Sequence, residues 1–187
     1  MNRRQRRRRR QLLRAAVLGP MWTVVGLLGL GLLLPSRHQE SALRRYYSSP
    51  EAVFAVLTDL EAMPTWRRDL GNVERLPGRS GLVVWREWDR RGRTTAMERT
   101  ESTPNSRIVV APAGAASQSF RWTYDLRPVT GGTELAITEE QIIRNPIGRA
   151  LVLMFGADRD RVEGWAEDLE VRLNGRRERL AAAGGHR

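Results

Sequence analysis

Few residues in this chain have side chains suited to bond-making chemistry. Glu139 and Tyr124 are the two candidates for acid–base work, a carboxylate and a phenol on stretches of alternating polarity. Two such groups in one dry pocket can take and return a proton, which is the minimum for a cyclase- or dehydrase-type reaction. Glu139 shares strand parity with Leu135 and Ile137, so a regular strand aims it inward, where Arg99, Glu87 and Tyr124 are its candidate neighbours. The competing expectation is an inward charge near a strand end that meets solvent or an ion-pair partner. Asp59 is expected to end a helix or hold a turn. The sequence holds no cysteine and only two histidines, His38 and His186, neither inside the domain proper. Disulfides and thiolate chemistry are therefore excluded, and a histidine metal centre or a Ser-His-Asp triad is argued against. No phosphate loop or nucleophile elbow is present. No metal and no cofactor is expected.

The aromatic residues follow a clearer pattern. Phe120, Trp122, Tyr124 and Leu126 share one parity, while Ser119, Arg121, Thr123 and Asp125 share the other, which suits water. Trp85 and Trp88 have opposite parity, so a regular strand turns only one of them inward. Trp66 is expected to staple short helices to a sheet. Inward aromatics of this kind either fill a core or wall a hollow, and their spacing alone leaves both open.

These side chains need elements to hold them. Ala42 to Tyr47 reads as a first strand, and Ser49-Pro50-Glu51 announces a helix with a hydroxyl cap, a first-turn proline and an acid at the positive dipole end. Asp59 to Pro64 breaks that helix, and a short second one carries Trp66. Six β-like runs follow, at 72–76, 82–89, 94–101, 107–111, 117–127 and 133–143, separated by short Pro, Gly and Asn breaks that favour antiparallel neighbours. Asn145-Pro146 then starts one long amphipathic helix whose apolar stripe is Leu151, Met154, Phe155, Val162, Trp165, Leu169, Leu173 and Leu180; Gly156 and Gly164 are places where it could bend. The order predicts an α+β fold: a seven-stranded antiparallel sheet with a long closing helix over one face.

The N-terminal part is of another kind. Residues 1–14 carry eight arginines and no acid, out of a net charge of +11. No charge occurs from Ala15 to Ser36. At about 1.5 Å per residue, 20 residues (15–34) span about 30 Å, the thickness of a bilayer core. The arginine flank puts the N-terminus in the cytoplasm and the domain outside; a cleaved signal peptide is the alternative. The expected organisation is an arginine-rich tail at 1–14 touching anionic lipid headgroups, a transmembrane helix at 15–36, a linker at 37–41, the domain at 42–181 and a disordered tail at 182–187. Nucleic acid is not an expected partner, because the tail lacks interleaved aromatics.

The run Ser49-Pro50-Glu51-Ala52-Val53-Phe54-Ala55-Val56-Leu57-Thr58-Asp59, followed by Met63-Pro64-Thr65-Trp66, resembles the START-related helix-grip superfamily (SRPBCC). So do Phe120-Arg121-Trp122-Thr123-Tyr124-Asp125-Leu126-Arg127-Pro128, Gly131-Gly132-Thr133-Glu134-Leu135 and the closing Asp168-Leu169-Glu170. That superfamily includes polyketide cyclases, dehydrases and lipid-transfer proteins. The resemblance covers about residues 41–181, leaves out the N-terminal segment, and is carried by structural rather than catalytic motifs. It implies a deep cavity between sheet and final helix that receives an apolar small molecule. Phe120, Trp122, Tyr124, Leu126, Met97, Leu135, Ile137, Met154, Phe155, Trp165 and Leu169 would line it. The function expected is a membrane-anchored, non-enzymatic module holding a lipid, quinone or polyketide-like molecule. A cyclase- or dehydrase-type enzyme and an interaction scaffold without ligand are the alternatives.

Overall fold

The computed structural model describes residues 22–78, 81–114, 119–155 and 157–184. These form two compact units: residues 39–142 with 157–184, and residues 22–38 with 143–155.

The larger unit is built on an antiparallel sheet of seven strands in the order β1-β7-β6-β5-β4-β3-β2. The strands are β1 (Arg37–Tyr46), β2 (Leu70–Leu76), β3 (Val83–Asp89), β4 (Thr94–Thr103), β5 (Arg107–Pro112), β6 (Phe120–Val129) and β7 (Gly132–Ile142). From β2 to β7 each strand pairs with the next, as short connections require. The β6–β7 hairpin is the tightest, closing from Val129 to Gly132 with Gly131 at φ +83°, a left-handed position that glycine takes without steric cost. β1 begins at Arg37 and so takes in residues 37–41, read above as a linker. In β4 the register shifts between Arg99 and Glu101, leaving one extra residue, Thr100, against β5.

Helix α2 (Pro50–Thr58) starts where its sequence says it should. Ser49 adopts an extended conformation and its Oγ accepts the Ala52 N–H at 3.3 Å, with Pro50 and Glu51 in the first turn. Asp59 is the C-cap, and its carboxylate accepts the Ala62 N–H. Helix α3 (Met63–Trp66) is a single turn. Trp66 is buried and meets Trp165 edge to face at 5.6 Å. It therefore fastens the short helices to the closing helix as well as to the sheet residues of the core around it.

The closing helix is described in two spans, α4 (Pro146–Phe155) and α5 (Ala157–Gly184), with residue 156 between them outside the described residues. In α5 the apolar stripe is buried at Val162, Trp165, Ala166, Leu169 and Leu173. Leu151 and Met154 of α4 are exposed and belong to the smaller unit. The side chains of Phe155 and Leu180 lie outside the described residues, as do residues 185–187 of the expected disordered tail, while α5 runs on to Gly184.

In the smaller unit, residues 22–33 form helix α1. Among the described residues no helix is long and apolar enough to cross a membrane. The arginine-rich tail and residues 15–21 of the uncharged segment lie outside the described residues.

Candidate ligand cavity

Pairing across the sheet decides what faces inward. Arg99 lies opposite Val110, Val110 opposite Trp122, and Trp122 opposite Glu139, so one inward row runs through four strands from β4 to β7. Paired residues in an antiparallel sheet project to the same face. Val83 of β3 extends this row at the Arg99 end. An adjacent row places Trp85 beside Met97, and Glu87 stands beside Thr95. Above these rows, α5 contributes Arg161, Gly164, Trp165 and Asp168 to a cavity of about 740 Å³. That volume is within the range of about 300–1,000 Å³ typical of small-molecule sites.

One wall is aromatic. Trp122 stacks on Tyr124 with centroids 6.3 Å apart, and Trp165 of α5 approaches Tyr124 at 4.8 Å and Trp122 at 6.4 Å. Rings at these separations present a rigid apolar surface at low entropic cost. Burial is the main cause that pushes the Tyr124 hydroxyl above the ordinary phenol range, with Arg67 opposing the shift and Glu87 adding to it. At neutral pH Tyr124 therefore carries its proton and is a hydrogen-bond donor, not a base.

The polar lining is organised as ion pairs. Arg67 grips Asp69 with a two-pronged contact, Nη2 to Oδ2 at 2.7 Å and Nε to Oδ1 at 3.2 Å, and reaches Glu87 at 3.1 Å. Glu87 also accepts the indole N–H of Trp85 at 2.8 Å. Burial works against the Arg67 charge, yet Glu87 and Asp69 more than offset it and raise its pKa. Glu139 is only 4% exposed. Its Oε2 accepts Nη2 and Nε of Arg161 at 2.8 and 3.1 Å, and its Oε1 accepts the Gln141 amide at 2.9 Å. Asp168 accepts the Arg68 backbone N–H at 2.8 Å and also pairs with the Arg68 guanidinium.

Arg99 is different. Its Nε is buried without a hydrogen-bond partner, and its one hydrogen bond runs from Nη2 to the Thr58 carbonyl at 3.4 Å. Burial, and then the neighbouring Arg75, lower its pKa. This guanidinium lines the cavity with no carboxylate of the described residues against it.

The candidate residues fall into four groups. Met97, Phe120, Trp122, Tyr124, Trp165 and Glu139 line the cavity. Leu126, Leu135, Ile137 and Leu169 are buried in the core below it and do not line it. Met154 is 58% exposed in the smaller unit, away from any lining role. Phe155 has no described side chain. Sequence reasoning missed Arg67, Arg68, Asp69, Arg161 and Asp168 as lining residues. Asp168 was findable, since it lies three positions after Trp165 on an otherwise apolar helix face. Residues 67–69 sit in a turn with no periodicity to read.

A curved antiparallel sheet gripping a long C-terminal helix, with two short helices after the first strand, defines the helix-grip class of α+β proteins. The chain belongs to the family described as "Activator of Hsp90 ATPase homolog 1-like protein", whose sequence profile matches residues 47–173. Solved structures agree on the fold. The di-domain aromatase/cyclase BexL of the BE-7585A biosynthetic pathway is similar at a TM-score of 0.60 and 13% identity, covering 86% of this chain. This chain spans only 58% of BexL. The ZhuI aromatase/cyclase from a Streptomyces species is similar at a TM-score of 0.61 and 17% identity, with 79% and 98% of the two chains covered. A protein from Thermus thermophilus is similar at a TM-score of 0.60 and 19% identity, with 74% and 98% covered. No curated protein matches the chain.

Proposed function

We propose that this protein is a membrane-tethered binding module for a hydrophobic small molecule that carries one anionic or strongly polar group. The observation that carries the reading is the cavity itself: about 740 Å³, walled by Trp122, Tyr124 and Trp165, with the Arg99 guanidinium left unmatched inside it. Apolar burial would drive binding at about 25 cal/mol per Å² before ordering costs. Arg99 would select the ligand's polar end, because a desolvated cation gains most from a charge that enters with the ligand. A fatty acid, a quinone or a polyketide-like phenol has this shape. The uncharged segment 15–36 is the tether, with the arginine tail cytoplasmic against anionic headgroups and the domain extracytoplasmic. Tethering keeps the cavity close to a membrane pool of such molecules.

The test uses the tryptophan fluorescence of the full chain in detergent-free nanodiscs. Titration with 1-naphthoate and with naphthalene should give saturable changes for both. Arg99→Met should weaken naphthoate about tenfold, equivalent to about 1.4 kcal/mol, and leave naphthalene unchanged. No saturable response to any apolar probe would end the proposal.

An aromatase- or cyclase-type enzyme is the second reading, favoured by Tyr124 and Glu139 lining the same cavity. Tyr124 would donate a proton or hydrogen bond, and Glu139, held by Arg161 and Gln141, would accept one. Turnover of a polyketide-like substrate that survives in neither Tyr124→Phe nor Glu139→Gln would favour it over simple binding.

A further inference from the structure

Helices α1 and α4 carry apolar surface that none of the described residues of their own unit covers. In α1 only Gly31 is buried, with Leu27 half-buried beside it. Val24, Leu28, Leu30 and Leu33 are 46%, 38%, 39% and 86% exposed, and at 3.6 residues per turn they point in several directions around the axis. Gly31 is the point of contact with α4: a Cβ there would fall 1.7 Å from the Pro146 carbonyl oxygen. Small residues at helix contacts of this kind let backbones approach closely. In α4, Ala150 is fully buried, while Leu151 and Met154 stand 40% and 58% exposed. The one charge within α4 is turned back. Arg149 donates to the carbonyls of Gly31 and Leu34 at 3.3 Å, of Ile143 at 2.7 Å and of Arg144 at 3.2 Å. It thus caps the C-terminal end of α1 and leaves the outer face of α4 without charge.

Charge says what covers this surface. Residues 1–38 and 143–156 hold eleven of the 32 arginines and no acid, so the remaining 21 arginines are balanced by all 21 acids. The entire net charge of +11 thus belongs to this part of the chain. A second copy would bring the same eleven positive charges to the contact. An anionic bilayer offers apolar cover around a whole helix and the opposite charge at its surface.

We propose that α4 is a second membrane-contacting element, lying in the interface of the bilayer at the C-terminal end of α1. Leu151 and Met154 enter the acyl region. Ten residues make about 15 Å of helix, half of what crossing needs, so α4 lies in the interface rather than spanning. The inference rests on the tether described under Proposed function, and the test separates the two.

Because the chain has no cysteine, single substitutions give unique labelling sites. Leu28→Cys, Leu151→Cys, Met154→Cys and, on β2, Glu74→Cys are each labelled with bimane. Each full chain is then placed in phosphatidylcholine–phosphatidylglycerol vesicles containing acyl-chain doxyl lipid. The expected result is loss of most fluorescence at positions 28, 151 and 154, with none lost at 74. Quenching at 28 without quenching at 151 and 154 overturns the role of α4 and keeps the tether. No quenching at 28 overturns the tether and this inference with it. Undiminished quenching at 151 and 154 in pure phosphatidylcholine overturns the requirement for anionic lipid.

Discussion

The two units differ in how they treat arginine. In the sheet unit many arginines are matched by acids, Arg67 with Glu87 and Asp69, Arg161 with Glu139, and Arg107 with Asp125 and Glu101, while Arg99 in the cavity is the exception. In the smaller unit no acid exists, and Arg149 spends its donors on backbone carbonyls. The first arrangement is largely closed, with most of these charges answered inside the fold and Arg99 left over. The second is open and needs its answering charge from outside. Burial runs the same way. Leu135, Ile137 and Leu169 are fully buried in the sheet unit, while most of the apolar side chains of α1 are exposed.

The strongest way to break this contrast is to cut into each apolar surface in turn. Leu169→Ala should destabilise the sheet unit by about 2–5 kcal/mol, because Leu169 is fully buried and the cavity left behind adds to the lost transfer energy. Leu33→Ala and Leu151→Ala should shift the same urea transition, followed by circular dichroism, by less than about 0.5 kcal/mol. Equal effects would show that the two units unfold together.

A smaller effect sharpens the contrast within the sheet unit. Arg67→Met strands Glu87, whose side chain is 14% exposed, and should cost about 3 kcal/mol in the same measurement. Arg99→Met removes a desolvated cation that has no carboxylate partner among the described residues, so stability should stay within about 1 kcal/mol of the parent or rise. A large loss from the second substitution would mean that Arg99 is answered inside the fold after all.

The smallest effect is in pH. Burial first, with Glu170 adding, raises the Tyr46 pKa, and burial also raises that of Tyr124. The folded state therefore holds these two protons more tightly than the unfolded chain. Their contribution is fully present below about pH 10, the ordinary phenol pKa, and is lost as pH rises beyond it. Urea midpoints measured between about pH 8 and 11 should fall at the alkaline end. Tyr46→Phe and Tyr124→Phe should each flatten the fall.

Much of this architecture was legible in the residues. The Ser49 cap, the turn glycines and the alternating strands place α2 and six of the strands within a few positions, because local propensity and burial agree there. The inward parity of Trp122 and Glu139 was readable for the same reason. Three places were not legible. Arg37–Ser41 looked like a linker because a strand at the sheet edge need not alternate in polarity. The exposure of Leu151 and Met154 was hidden because they keep the three-residue spacing of the stripe, although they belong to the smaller unit. The Arg67, Arg68 and Asp69 cluster lies in a turn, where only tertiary contacts decide direction.

The extra residue in β4 decides which charges face the cavity. Were the strand regular, Glu101 would follow Met97 and Arg99 onto the concave face. The insertion at Thr100 instead rotates Glu101 outward, where it pairs with Arg107 at 3.1 Å. A single backbone irregularity thus keeps Glu101 off the concave face that carries Arg99. Excising Thr100 would turn Glu101 toward Arg99 and, under the function proposed above, would favour neutral ligands over acids.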